Sequence, residues 1–197
     1  MVSQLLDAFS GPASIFMYSI TAVLAYTLAV IIERLFLFLT VTTPSDEVLK
    51  GLIDPQKHAQ VLVELTAHPA HEILSAGQAA NNAEQAWNAM TAKATIVEGR
   101  IRKRIASLAT AGNIATMLGL LGTVYGLIFA LDGLDQASAI ERTAQLSQGI
   151  AAAMITTAYG LIVGVPALMA HRALASKADE ILRFCEAVAA TVASTKE

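Results

Sequence analysis

Cysteine is nearly absent from this 197-residue chain. The single thiol, Cys185, excludes an internal disulfide. Charge is also scarce: 15% of residues are Asp, Glu, Lys or Arg, against about a quarter in soluble domains. The net charge of −3 is too small and of the wrong sign for a nucleic-acid partner. Five prolines and the lack of a low-complexity tract argue against disorder. What remains is apolar: 55% of the chain is hydrophobic and the mean hydropathy is +0.56. An all-α integral membrane protein is the expectation.

Two stretches carry no Asp, Glu, Lys, Arg or His at all, Leu108–Leu131 and Gly149–Ala170. Each is long enough to cross a bilayer as one helix. A third apolar run covers Ile15–Leu39. No Lys or Arg precedes Arg34 and the run is too long for a signal sequence, so it reads as a retained helix. Three membrane spans follow.

Basic residues predict the orientation. The connection between spans one and two holds Lys50, Lys57, Lys93, Arg100, Arg102, Lys103 and Arg104. The tail holds Arg172, Lys177, Arg183 and Lys196. The connection between spans two and three has only Arg142. The positive-inside rule makes 1–40 a periplasmic N-terminus plus the first span, and 41–107 a cytoplasmic helical connection. Span two is 108–131, a periplasmic loop 132–148, span three 149–170, and a cytoplasmic C-terminal helix 171–197.

The connection reads as helices. Thr43-Pro44-Ser45-Asp46 and Asp54-Pro55 look like helix starts, and His68-Pro69 marks a break. Trp87, Met90, Ala94, Val97, Ile101, Ile105 and Leu108 recur at steps of three and four, one face of a helix that runs on into span two. Leu174, Ala178, Ile181, Cys185, Val188 and Val192 repeat the pattern below span three. Spans two and three are therefore expected to extend into long cytoplasmic helices.

No phosphate loop, metal spacing or nucleophile motif is present, so no catalytic or metal residue and no cofactor is predicted, and an enzyme is not expected. His58, His68 and His71 lie close in sequence. His68 and Glu72 have metal-ligand spacing on a helix, and a solvated helix surface is the plainer reading.

The membrane threonines are the more informative polar groups. Thr116 and Thr123 lie seven apart and share a helix face. Gly119 and Gly126 line an adjoining stripe. On span three, Ala153, Thr157, Gly160 and Gly164 form one row, and Gly160 and Gly164 have small-xxx-small spacing. Close packing, with each hydroxyl bonded to its own helix, accounts for this pattern. A second reading also accounts for it: hydroxyls from two helices face a sparsely hydrated ion path, and another chain supplies the ionisable group.

The segment Leu118-Gly-Leu-Leu-Gly-Thr-Val-Tyr-Gly126 resembles the signature of the MotA/TolQ/ExbB proton-channel family. So do Gly149-Ile-Ala, Ile155-Thr-Thr-Ala-Tyr-Gly160 with Pro166 downstream, and the Glu33-Arg34-Leu35 step. Three spans resemble the ExbB/TolQ branch. The resemblance implies an ion pathway at Thr123 and Thr157, with Thr156 and Thr116 beside them, and helix packing at Gly119, Gly122, Gly126, Gly160 and Gly164. It implies a homopentamer around an ExbD/TolR-like single-span subunit whose membrane Asp carries the proton, and a TonB/TolA-like periplasm-spanning protein as a further partner. The implied function is a ring subunit of a proton-motive-force-driven inner-membrane motor. The alternatives are a non-conducting scaffold and a stator of a gliding or flagellar motor.

This chain departs from the family pattern at Ala152, where relatives carry glutamate, and at Thr116, where they carry proline. The extra hydroxyl leaves sodium open beside the proton. Glu33 and Arg34 form a charge pair at the inner end of span one. It serves either to stop the helix or in ion exit and subunit contact. Arg100, Arg102, Lys103 and Arg104 are expected at anionic lipid headgroups.

Overall fold

A computed structural model describes residues 8–41, 65–78, 82–132 and 138–194. Both proline-marked helix starts, at Thr43 and Asp54, and also His58 lie outside them. The described chain is all-helical. Helix α1 covers Ser14–Thr40, α2 Pro69–Gln78, α3 Ala83–Arg102, α4 Ile105–Asp132 and α5 Ala139–Ser194, with a short 3-10 turn at Leu65–Ala67. Three helical runs are long and apolar enough to cross a membrane: Ser14–Thr40, Glu84–Asp132 and Ala139–Thr191. The fold class is the expected one. Spans two and three continue well beyond their charge-free segments.

The second run contains a local interruption. Between α3 and α4, Arg104 has φ 62°, the left-handed region that an L residue with a Cβ enters only at a cost. Apolar residues of the stripe are buried on both sides of this point, Val97 and Ile101 before it and Ile105 and Leu108 after it. Periodicity therefore does not reveal the break. Trp87, at the start of the stripe, is instead 47% exposed.

Helix ends follow local chemistry. Asn82 caps α3, its Oδ1 accepting the Gln85 amide at 2.8 Å. Ser138 caps α5: the Glu141 amide donates to Ser138 Oγ, and that hydroxyl donates to Glu141 Oε2 at 2.7 Å. Pro166 lies inside α5, exposed, and leaves the Ile162 carbonyl without its helical donor.

The chain divides into two compact units. The first comprises Met1–Ile32 and Ala106–Arg172. Its core is Met17, Ile20, Ala115, Tyr159 and Val163, with Phe9, Val23, Leu118 and Ile155 packed around it. Hydroxyls tie the helices together. Tyr159 and Thr21 lie 2.9 Å apart. Thr21 gives its one proton to the Met17 carbonyl, so Tyr159 is the donor to Thr21. Tyr26 donates to Ser107 Oγ at 2.8 Å. Many large apolar side chains of this unit point outward, among them Met117, Leu120, Leu121, Met154 and Met169. Water does not tolerate so continuous an apolar surface, whereas hydrocarbon does.

The second unit comprises Glu33–Ile105 and Ala173–Glu197. Here α2 packs along α3, and the α5 stripe Leu174, Ala178, Ile181, Cys185 and Val188 is buried; the side chain of Val192 is not among those described. His68 is also buried rather than solvated. Its Nδ1 accepts the Ala70 amide at 3.1 Å, capping α2, and its ring stands edge-on to Phe184 with centroids 4.9 Å apart. Burial lowers its pKa to about 4.

Candidate functional site

The small-residue rows on α4 and α5 face each other. A Cβ placed on Gly119 would sit 3.0 Å from the Thr156 carbonyl oxygen and 3.2 Å from Gly160 Cα. One on Gly160 would sit 2.7 Å from the Ala115 carbonyl oxygen. One on Gly126 would sit 2.8 Å from the Ala153 nitrogen. The two backbones are in direct contact over several turns, which only residues without a Cβ permit. Gly164 meets the Gly112 carbonyl and Thr116 Oγ1, and Gly149 meets Ala130 and the Gly126 carbonyl. Gly112 and Gly149 belong to this seam although neither was among the glycines expected to pack helices. The available signal was the heptad: Gly112 stands seven residues before Gly119, as Gly126 stands seven after.

The four candidate threonines separate on this scaffold. Thr156 is fully buried. Its hydroxyl donates to the Ala152 and Ala153 carbonyls, both at 3.0 Å, and its side chain fills the space that Gly122 leaves. Thr157 is only partly buried and reaches across to the neighbouring helix, donating to the Gly119 carbonyl at 3.2 Å. In an unbroken α-helix that same carbonyl takes the amide of Thr123. Thr157 and Thr123 are thus one turn apart across the seam, and Thr123 donates to the Leu120 carbonyl at 2.6 Å. Thr116 donates to the Gly112 carbonyl at 3.0 Å. Ala152 is buried.

The charged candidate residues all lie in the second unit. Glu33 pairs with Arg34 at 3.0 Å and also with Arg104. Arg34 is buried, and it donates to the Arg100 carbonyl at 3.2 Å. Glu72 receives Arg100 at 2.7 Å and Lys93 at 3.0 Å. The Arg100 guanidinium, followed by the Lys93 ammonium, holds its carboxyl below the usual carboxylate range. Arg102 pairs with Glu98 and with Asp179, both at 2.9 Å. Lys103 is exposed. Three of the four basic residues expected at lipid headgroups therefore have protein carboxylates beside them. Glu72 is engaged by two cations, and among the described residues no group of three His, Cys, Asp or Glu side chains could hold a metal ion.

Three long apolar helices with an outward apolar surface define a multi-pass membrane protein. The profile of the MotA/TolQ/ExbB proton channel family matches residues 61–187, and the chain belongs to that family. It is 31% identical to the putative biopolymer transport protein ExbB-like 1 of Synechocystis sp. over 196 residues, 94% of this chain and 76% of that protein. It is 30% identical to the biopolymer transport protein exbB1 of Vibrio cholerae over 172 residues, 82% of this chain and 75% of that one. It is 37% identical to the Tol-Pal system protein TolQ of Haemophilus influenzae over 82 residues, 41% of this chain. The chain spans 35% of that TolQ protein, well under two thirds of its length. The two ExbB-named relatives carry the names of transport proteins, not of enzymes.

Proposed function

We propose that this protein is the ring-forming subunit of an ion-driven motor in a bacterial inner membrane, working in biopolymer transport as its ExbB-named relatives do. The N-terminus lies on the periplasmic side and the C-terminus in the cytoplasm, in keeping with the distribution of Lys and Arg. The ring, a homopentamer, encloses a single-span ExbD/TolR-like subunit. That partner supplies the titratable membrane carboxyl and hands force to a TonB/TolA-like protein in the periplasm. The protein itself supplies the path, at Thr157 and Thr123 with Thr116 nearby, and the rigid glycine seam that holds it.

One observation carries this reading. Two apolar segments free of Asp, Glu, Lys, Arg and His lie backbone to backbone, and the Thr157 hydroxyl bridges them at Gly119. A carboxylate in hydrocarbon is costly unless neutralised or hydrated. A path with no acid of its own therefore suits a partner that brings one. The driving force suffices, since each charge crossing releases about 2.3 kcal/mol per 100 mV. The proton is the favoured ion.

The test is Thr157→Val, which keeps the shape and removes the hydroxyl. Co-expressed with the partner, the variant should assemble to the same intact-complex mass and lose ion-coupled activity in proteoliposomes. Full activity would remove Thr157 from the path. Tolerance of valine at both Thr157 and Thr123 would favour a non-conducting scaffold.

A further inference from the structure

The hydroxyl hydrogens of the candidate path are all committed. Thr116, Thr123 and Thr157 each lie within hydrogen-bond distance of a backbone carbonyl, of Gly112, Leu120 and Gly119 respectively. A carbonyl oxygen only accepts, so each hydroxyl is the donor, and it has one proton to give. What remains on every one of these oxygens is lone pairs. The Gly119 carbonyl between Thr157 and Thr123 is likewise an acceptor. Thr156 stands apart: it is fully buried, with both of its contacts on its own helix, and its oxygen is closed off against Gly122.

From this pattern we infer that Thr157 and Thr123 meet the partner's membrane carboxyl as hydrogen-bond acceptors, so that the path stabilises the undissociated acid over the carboxylate. The inference rests on the proposed function and adds a direction to it. An undissociated acid donates its O–H to Thr157 Oγ1. A carboxylate has only lone pairs to offer and faces an oxygen that has already spent its hydrogen. The ring is then a holding site for the loaded, neutral carrier. The proton leaves only where the carboxyl reaches water, which takes the proton and then donates hydrogen bonds to the carboxylate. Thr156 contributes packing and no hydrogen bond to the carrier. An acceptor-lined path also suits hydrated cations and disfavours anions.

The sign of one measurement decides the matter. The complex is purified from its native membrane with the co-purifying single-span subunit. The pH at which that subunit's carboxylic C=O stretch gives way to carboxylate bands is read by infrared difference spectroscopy. The band is assigned by subtracting a complex in which the partner's carboxyl is replaced by an amide. Thr157→Val removes an acceptor that only the acid form uses, so the midpoint should fall by about half to one pH unit. Thr157→Ser and Thr156→Val should leave it where it is. A midpoint that rises, as it would if Thr157 donated to the carboxylate, overturns the inference, and so does one that stays put. If Thr157→Val fails to assemble, Thr123→Val carries the same sign test. A wild-type complex with no titrating partner carboxyl would overturn the proposed function and this inference with it, whereas a titrating carboxyl with the wrong sign would overturn the inference alone.

Discussion

Replacing Gly160 with alanine sets one methyl group against two backbone atoms. The new Cβ would lie 2.7 Å from the Ala115 carbonyl oxygen and 2.9 Å from Gly119 Cα. Neither neighbour is the end of a flexible side chain, so the helices themselves must part, by roughly 0.7 Å to reach ordinary contact. A gap of that size along the seam forfeits about a quarter to a half of the local dispersion attraction. It also carries the Thr157–Gly119 hydrogen bond beyond its 3.2 Å, a loss of about 0.6 kcal/mol within a membrane. Overpacking of this kind costs about 1–3 kcal/mol. The gain in helix propensity from Gly to Ala, about 1 kcal/mol at most, offsets only part of it. Gly99→Ala is the internal control. Gly99 is exposed on the outer face of α3 with nothing within 4 Å of an added Cβ, so the same change there should stabilise by about 0.5–1 kcal/mol. Unfolding both variants by SDS titration in mixed micelles should give shifts of opposite sign. A Gly160→Ala protein as stable as the wild type, or moved in the same direction as Gly99→Ala, would refute the close-contact argument.

Two further outcomes are expected. Arg104→Gly relieves a left-handed backbone worth about 1–2 kcal/mol, while losing a solvent-screened pair with Glu33; Arg104→Ala loses the same pair without the relief. Thermal unfolding in detergent should therefore rank glycine above alanine at this position, and the reverse order would show that Arg104 carries no backbone strain. Acid should weaken the second unit. His68 binds its proton at about pH 4 folded against 6.5 unfolded, so the unfolded chain takes up the proton first; stability is complete above about pH 6.5 and falls to a loss of about 3 kcal/mol once the pH is below 4. His68→Asn keeps a capping acceptor for Ala70 and removes the titration, so its melting temperature should vary less between pH 6.5 and 4.5; an unchanged slope would sink the assignment.

Much of the site was legible because it depends on spacing along one helix. Gly119 and Gly126, and Gly160 and Gly164, stand on helical repeats, and a charge-free run of span length needs no tertiary information to be recognised. The expectation for His68 failed for the opposite reason. A histidine beside Pro69 and Glu72 reads as surface, and only the approach of Phe184, from a distant part of the chain, buries it. The basic run Arg100–Arg104 has no carboxylate partner nearby except Glu98. Its other partners, Glu72, Asp179 and Glu33, come from separate helices.

The sequence by itself determined the three apolar spans, the family and the residue types available to the path, because hydropathy and periodicity are properties of the local chain. The tertiary structure alone decided which threonine does what. Thr156 and Thr157 are adjacent and chemically identical, yet a helical step of about 100° turns one into the Gly122 gap and the other across to the Gly119 carbonyl. That difference exists only once a second helix stands opposite, since a lone helix offers both hydroxyls the same backbone and the same surroundings.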